Sequence, residues 1–302
     1  MGEIWNGMQA AYSPLIAGER EPRMVARGAR HHPRGIAYPR PAAQRAVGHW
    51  LGRPGLTVTG FGALALYGLP VLADDCDTVL AGPRINRTRP ATQLTPALLR
   101  TTLRPGETWT VICAGHRVSV AAPGLAVVHA LMSILRGYSA WHTTAGSTLT
   151  RAVQLIDATR HFLNLHPDPI RTATKHRLDR DRLEQVLAAS SPLAQSPKET
   201  EMRLLAAPLA RQYGLTLQEQ VVITNKWGKR VTDLDLALME PKIGLMYDGI
   251  HHWDKAQRTK DSLINIELAA QGWRLFRFSE GTLHRLPSML DDLLARLGFR
   301  GE

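Results

Sequence analysis

Apolar and polar residues alternate in two neighbouring stretches of the C-terminal half of the chain. Over 231–238, aspartates alternate with leucines, and this period of two residues is typical of a strand with one apolar face. A Glu-Pro-Lys turn at 240–242 interrupts the pattern, which resumes over 243–248. The pattern predicts two adjacent strands that carry Asp235 and Asp248 side by side.

Periodicity, helix caps and turn residues predict the remaining elements in the same way. Helices are expected at 123–135, 148–162, 178–187, 196–212, 262–271 and 283–297, with a further small-residue helix that ends at Gly68. Strands are expected at 78–83, 109–120 (two strands joined by a turn), 218–224 and 273–278, and a short strand could form at 35–38. Residues 86–102 are expected to form a surface connection. The His-Pro-Asp-Pro segment at 166–169 is expected to stop the helix at 148–162.

A segment rich in serine and proline divides the chain at about residue 190. Exposed polar segments of this kind are typical of domain boundaries, so we predict an α/β protein with two domains, 1–190 and 191–302. The N-terminal region is expected to be mixed α+β. In the C-terminal domain, the predicted order of helix, three strands, helix, strand and helix indicates a mixed sheet flanked by helices.

The charge balance suggests the class of partner. The 302 residues contain 37 Lys and Arg against 26 Asp and Glu, a formal net charge of +11, and such an excess favours a polyanion, for which nucleic acid is the usual candidate. A general solubility charge is the alternative. Two cysteines are too few for a disulfide framework or a four-cysteine zinc site. With no apolar run of about 20 residues and no signal-peptide core, we expect a soluble cytoplasmic protein without a membrane partner.

Acidic and imidazole side chains gather at the ends of the two alternating stretches. Asp235 lies in the first, Asp248 ends the second, and His251 and His252 follow directly. Carboxylates and imidazoles collected at strand ends suit a divalent metal better than a packed core. The alternative is that the aspartates only solvate the outer face of an edge strand.

Five short motifs over residues 194–302 resemble the Vsr-like endonuclease-related domain of the PD-(D/E)xK restriction-endonuclease superfamily. In chain order they are Ser196-Pro197-x-Glu199-Thr200, Asp235-Leu-Ala, Tyr247-Asp248-Gly249-x-His251-His252, Asp261, and Gly272-Trp273-Arg274-Leu-Phe-Arg-Phe278. The resemblance implies a restriction-endonuclease-like sheet flanked by helices. It also implies a metal-dependent endonuclease or nickase that acts on DNA.

The resemblance also implies a ligand set for Mg²⁺ or Mn²⁺. Asp235 corresponds to the first metal-binding aspartate, and Asp248 takes the place of the superfamily lysine and is expected to join it at the metal. The position of the second acidic ligand is occupied by Met246, whose thioether is a poor ligand for magnesium. Glu199 could complete the site, although it also has the spacing of the reciprocal partner in a capping box begun by Ser196.

Further residues have expected roles in catalysis and phosphate binding. His251 and His252 could act as general base or hold the leaving phosphate, because histidine titrates near neutral pH. Arg258, Lys260 and Arg274 are expected to contact DNA phosphates.

The N-terminal region resembles, more weakly, the AbiEi-type antitoxin-like regulators. The residues Arg34-Gly35-Ile-Ala-Tyr38 resemble their basic wing, and 59–69 resembles the small-residue helix that follows. Arg30 and Arg34 are therefore expected to contact DNA. This resemblance further implies a protein partner within a toxin-antitoxin or defence system.

Three functional hypotheses remain open from the sequence. The carboxylates and histidines favour a metal-dependent endonuclease, whereas Met246 favours a DNA-binding regulator that keeps the nuclease fold but has lost cleavage. The N-terminal resemblance favours an antitoxin-like transcriptional regulator that also binds a protein.

Overall fold

A computed structural model of the protein describes residue 16 and residues 18–144, 146–249 and 255–301, with the backbone alone for 255–261. This described part has a mixed α/β fold of ten α-helices and two mixed sheets. The chain divides into two compact units. The first comprises the residues up to His142 together with Ser147–Ser190, and the second comprises 143–146 and the residues from Ser191 onwards.

The first unit surrounds a five-stranded sheet of order β3-β2-β1-β5-β4, in which β1 and β5 are parallel, as are β2 and β3. Its elements are α1 Pro22–His31, α2 Ala42–Leu51, β1 Thr57–Thr59, α3 Gly60–Leu66, β2 Val79–Gly82, β3 Ala97–Arg100, β4 Thr108–Cys113, β5 His116–Ala121, α4 Pro123–Leu135, α5 Thr148–Leu163, α6 Pro167–Thr174 and α7 Arg180–Ala188. Helix α4 is apolar on almost every side and is correspondingly buried. The helices predicted at 123–135, 148–162 and 178–187 and the paired strands at 109–120 are thereby confirmed.

Helices α4 and α6 approach each other closely at Gly124. A Cβ atom at this position would lie 2.3 Å from the backbone oxygen of Pro169, so any side chain would force the two helices apart. We expect Gly124→Ala to lower the free energy of unfolding by about 1–3 kcal/mol, measured by urea denaturation. Gly55→Ala is the control, because nothing lies within 4 Å of a Cβ there; equal losses in the two variants would contradict this packing.

The strand considered at 35–38 does not form, because side chains satisfy the backbone in that segment. The Nδ1 atom of His32 accepts the backbone N–H groups of Arg34 at 3.1 Å and Ile36 at 3.3 Å. The buried Tyr38 ring packs against the Arg45 guanidinium, whose Cζ atom lies 3.9 Å from the centroid of the ring. The segment is therefore held by local polar contacts rather than by a partner strand.

One other sequence prediction for the first unit is wrong, since the expected surface connection at 86–102 contains strand β3, which pairs in parallel with β2. The preceding helix α5 ends at Leu163, before the His-Pro-Asp-Pro segment at 166–169, as predicted. The same segment also starts α6, where His166 caps the helix by accepting the backbone N–H of Asp168 at 3.3 Å. Both prolines stand in the first turn, where a missing N–H donor costs no intrahelical hydrogen bond.

The second unit has the predicted order of helix, three strands, helix, strand and helix. Its elements are α8 Pro197–Gln212, β6 Leu217–Thr224, β7 Arg230–Leu238, β8 Ile243–Tyr247, α9 Lys255–Ala270, β9 Arg274–Phe278, a 3₁₀ turn Leu283–Arg285, and α10 Leu286–Arg296. The sheet order is β6-β7-β8-β9, antiparallel except for the parallel pair β8–β9. Helix α9 supplies the crossover that a parallel pair requires.

Two apolar clusters cover the two faces of this sheet. On one face, which we call the α8 face, Met202 of α8 and Leu290 of α10 pack against Leu236 and Leu245. On the other, the α9 face, Leu268 of α9 packs against the sheet. The sheet is therefore sandwiched between helices, as the predicted element order requires.

Strands β6 and β7 exchange faces part-way along their length. In β6, Leu217 packs on the α8 face but Val221 packs on the α9 face, and in β7 Leu236 packs on the α8 face but Leu234 on the α9 face. Residues two or four apart on a regular strand share a face. Both strands must therefore turn over between these positions.

The exchange takes place at Gln220 and Asp235. Gln220 has φ of +52°, a left-handed conformation that is uncommon for a residue other than glycine. The ladder pairs Glu219 with Leu236 and Val221 with Leu234 but leaves out the intervening pair. Asp235 thus lies at a local irregularity of the sheet rather than in a continuous row of side chains.

Within the described residues, each helix is too short or too polar to cross a membrane.

Candidate functional site

Asp235 is held in place by the neighbouring strand. Its Oδ2 atom accepts the backbone N–H of Tyr247, the last residue of β8, at 2.7 Å. The carboxyl is half-buried, because it lies where β6 and β7 exchange faces and β8 ends. A carboxylate in this position is fixed by the backbone and still reachable from solvent.

The environment of Asp235 disfavours its negative charge. Burial, with a smaller contribution from the nearby charges of Glu199 and Asp248, raises the pKa of this carboxyl to about 6, against the lowering effects of the Tyr247 N–H and of Arg277. Buried carboxyls that sit close to other carboxylates are typical of functional sites. A cation at this point would stabilise the ionised form of the Asp235 carboxyl.

Glu199 reaches this region from the first turn of α8. Ser196 caps the helix by accepting the backbone N–H of Glu199 at 3.2 Å, which confirms this half of the predicted capping box. The Glu199 carboxylate takes the backbone N–H of Gln195 and the side-chain amide of Gln220, each at 2.9 Å. Glu199 therefore acts as a cap and also binds the residue that distorts β6.

Asp248 follows β8 and faces the last strand. Its Oδ1 atom forms an ion pair with Arg277 of β9 at 3.0 Å, and its side chain is 46% exposed. Its backbone N–H donates to the carbonyl oxygen of Phe278 at 2.7 Å. Asp248 is thus anchored through its backbone and by one side-chain contact, and part of its carboxylate remains open to solvent.

Met246 packs on the α9 face and contributes to its apolar cluster. Alternation along β8 places it on the same face as Asp248, and Arg277 lies opposite it in the parallel register. The position at which the resemblance implies a second acidic ligand is therefore filled by a half-buried apolar side chain. Among the described residues, no group of three His, Cys, Asp or Glu side chains is arranged to hold a metal ion.

The described carboxylates fit Mg²⁺ only if a substrate phosphate supplies some of its remaining ligands. Magnesium commonly keeps several waters and is bound by one or two carboxylates together with substrate phosphates. Asp235 and Asp248 can supply two such carboxylates, since burial outweighs the favourable charge of Arg277 at Asp235 and Asp248 is partly exposed. These two carboxylates do not by themselves form a complete protein site for a metal ion.

Of the other residues predicted to act in this unit, the structure describes the side chain of Arg274 but not those of the two histidines, Arg258 and Lys260. His251 and His252 lie outside the described residues. Arg258 and Lys260 belong to helix α9, but their side chains also lie outside the description. Arg274 is exposed at the first position of β9, so it is available to an anionic ligand.

The two arginines predicted to contact DNA in the first unit differ in environment. Arg30 is exposed in the last turn of α1. Arg34 is ion-paired with Asp77 and lies over the Tyr138 ring, 5.7 Å from its centroid. Since the charge of Arg34 is already compensated within the protein, of the two only Arg30 has the exposure that a phosphate contact needs.

Sequence reasoning missed two residues of the candidate site. Arg277 pairs with Asp248, and the alternation of WRLFRF marked it only as one basic residue of a strand. Gln220 binds Glu199 and takes the left-handed conformation opposite Asp235. No local signal identifies Gln220, because a glutamine within an apolar strand pattern looks like an ordinary polar-face residue.

Comparison of the chain with protein-family models, curated proteins and solved structures found no match.

Proposed function

We propose that the second unit is a nuclease domain of the PD-(D/E)xK, Vsr-like type, and that the protein is a DNA-binding, metal-dependent endonuclease or nickase. The observation that carries the proposal is the half-buried Asp235 carboxyl, whose pKa is raised to about 6 next to Glu199 and Asp248. The order of helix, three strands, helix, strand and helix supports it, as does the formal net charge of +11.

The proposed roles follow from the positions of the side chains. Asp235 and Asp248 would hold the Mg²⁺ or Mn²⁺ together with a DNA phosphate, and the metal would supply neutralisation of developing charge and a water of lowered pKa. The Tyr247 N–H orients the Asp235 carboxylate. Arg277 holds Asp248 in position and adds positive charge near the phosphate. Glu199 fixes the distorted β6 through Gln220.

A second candidate function is a DNA-binding regulator that keeps this fold without cleaving. The packing of Met246 among apolar side chains favours it, because this leaves two rather than three carboxylates for the metal. The weak resemblance of the first unit to antitoxin-like regulators points the same way.

Cleavage of supercoiled plasmid distinguishes the two functions. The endonuclease or nickase converts supercoiled plasmid to open-circular or linear DNA with Mg²⁺ or Mn²⁺, and EDTA stops the conversion. The regulator shifts the same plasmid in a gel without cutting it under either condition. A protein that neither cuts nor binds plasmid at moderate salt contradicts both.

A further inference from the structure

The β6–β7 hairpin ends in a turn of basic and aromatic residues. The sequence from 225 to 230 is Asn-Lys-Trp-Gly-Lys-Arg, and we call this segment the Trp227 hairpin. The side chain of Trp227 is 74% exposed, the highest value among the large hydrophobic residues of the described chain. Leaving an indole in water forgoes the stabilisation that its burial would give.

The turn that carries Trp227 is held by its own hydrogen bonds. The Asn225 side-chain oxygen accepts the backbone N–H groups of Trp227 at 3.1 Å and Lys229 at 3.0 Å. The backbone N–H of Asn225 donates to the carbonyl oxygen of Lys229 at 2.8 Å, and Gly228 supplies the left-handed conformation, with φ of +76°. The indole is therefore presented by a fixed turn and not by a loose loop.

Two lysines lie in the same turn as the exposed indole. The Lys226 ammonium lies 4.5 Å from the centroid of the Trp227 ring, and Lys229 is exposed two residues further on. Neither lysine has a carboxylate partner within the described part of the chain. Arg230, by contrast, is ion-paired with Asp233. One lysine without a carboxylate partner in the described chain therefore lies over the exposed indole, and a second lies in the same turn.

We propose that the Trp227 hairpin is a DNA-contact element in which the indole stacks on an unpaired base while Lys226 and Lys229 bind the flanking phosphates. Aromatic faces next to phosphate-binding cations are the recurrent means of holding single strands, because every base has a face that can stack. A protein partner would have to bury the two lysines and offer acidic groups to them. DNA supplies both the flat apolar surface and the regularly spaced anions.

This inference rests on the proposed DNA-binding function and adds the form of DNA that is recognised. Strand β7 connects the hairpin to the candidate site: Arg230 at its start and Asp235 are five residues apart, roughly 17 Å of extended strand. That length corresponds to about five nucleotides of one strand of a duplex at 3.4 Å each. The hairpin would therefore prefer DNA that is unpaired within a few nucleotides of the phosphate held at Asp235.

Fluorescence anisotropy with labelled oligonucleotides tests the proposal. The full-length protein is titrated in EDTA, so that no cleavage occurs, with a perfect duplex and with the same duplex carrying a central unpaired bubble. We expect Trp227→Ala to weaken binding to the bubble by on the order of tenfold or more and binding to the perfect duplex much less. Trp227→Phe should keep most of the affinity for the bubble.

The salt dependence tests the lysines separately. Replacing both Lys226 and Lys229 by alanine should reduce the slope of log K against log salt by about 1.4 for a single-stranded oligonucleotide. Trp109→Ala is the matched control, because it removes a 51% exposed tryptophan from the first unit and should leave bubble binding within about twofold.

The outcomes separate this inference from the proposed function. Equal losses on bubble and duplex, or an unchanged affinity of Trp227→Ala for the bubble, overturn base stacking by the hairpin while DNA binding stands. If the unaltered protein binds neither oligonucleotide, the DNA-binding function itself fails. The thermal unfolding midpoint of each variant should match that of the unaltered protein, since an exposed turn contributes little to stability.

Discussion

Replacing Asp235 by asparagine should abolish metal-dependent cleavage and at the same time make the folded protein more stable above pH 6. Asparagine keeps an oxygen that can accept the Tyr247 N–H but removes the charge that would hold the cation. Since metal-ion stabilisation of a transition state is worth several kcal/mol, the cleavage rate should fall roughly 10³-fold. The gain in stability has a separate cause.

The stability effect follows from the raised pKa of Asp235. Burial and the neighbouring carboxylates lift this pKa from 3.8 to about 6, so between these pH values the folded protein keeps a proton that the unfolded chain releases. The free energy of unfolding therefore falls as pH rises from about 4 to about 6 and stays lower above that. The full rise corresponds to at most ~3 kcal/mol, and solvent access to a half-buried group reduces this to about 1–2 kcal/mol.

Urea denaturation of the unaltered protein and Asp235→Asn at pH 4 and pH 8 measures this difference. The two proteins should be equally stable at pH 4, and the variant should be more stable at pH 8 in EDTA. Asp233→Asn is a matched control on the same strand, because Asp233 forms an exposed ion pair with Arg230 and its loss should cost under about 1 kcal/mol. Cleavage that persists in Asp235→Asn while the chelator still stops the reaction would place the metal elsewhere.

Much of the candidate site could be predicted from local patterns. The alternation of aspartates and leucines over 231–238 identified β7, and the resumption after the Glu-Pro-Lys turn identified β8. The spacing of Ser196 and Glu199 identified the start of α8. These signals work because strand periodicity and helix capping depend on residues close in sequence.

Features that depend on residues distant in sequence could not be predicted. The resemblance to a basic wing predicts that Arg34 contacts DNA, but in the structure it forms an ion pair with Asp77, 43 residues away. The strand that could have formed at 35–38 is absent for a local reason, because the His32 side chain accepts backbone N–H groups two and four residues away. The face exchange at Gln220 and Asp235 breaks the strict alternation on which a strand prediction relies.

The face exchange also explains how Asp235 can lie within an apolar sheet and still present its carboxyl at the candidate site. In a regular strand, Asp235 would share a face with Ala237, which packs with the α9 cluster, and its carboxyl would be enclosed there. Turning both strands over at this residue opens the packing and brings the carboxyl to the Tyr247 N–H at the end of β8. Backbone irregularities of this kind are frequent next to functional sites.

Replacing Met246 by glutamate should raise the affinity for Mg²⁺ or Mn²⁺ and increase cleavage. Met246 lies in β8 two residues before Asp248 and pairs with Arg277 in the ladder, so a carboxylate there adds a hard oxygen ligand next to the existing pair. We expect the metal concentration for half-maximal cleavage to fall by on the order of tenfold. Without metal, the added charge in the apolar cluster should cost about 1–3 kcal/mol of stability.

Metal-dependent stability is therefore the sharpest measurement for this variant, since it does not depend on activity. In EDTA, Met246→Glu should unfold at a lower temperature than the unaltered protein. Saturating Mg²⁺ should remove this difference, because a metal at 100 times its Kd adds about 2.7 kcal/mol to the free energy of unfolding. Met246→Gln, which has similar size but no charge, should gain neither metal affinity nor cleavage. If Mg²⁺ stabilises the glutamate and glutamine variants equally, residue 246 does not face the metal, and the alignment of this chain with the superfamily's ligand positions is wrong.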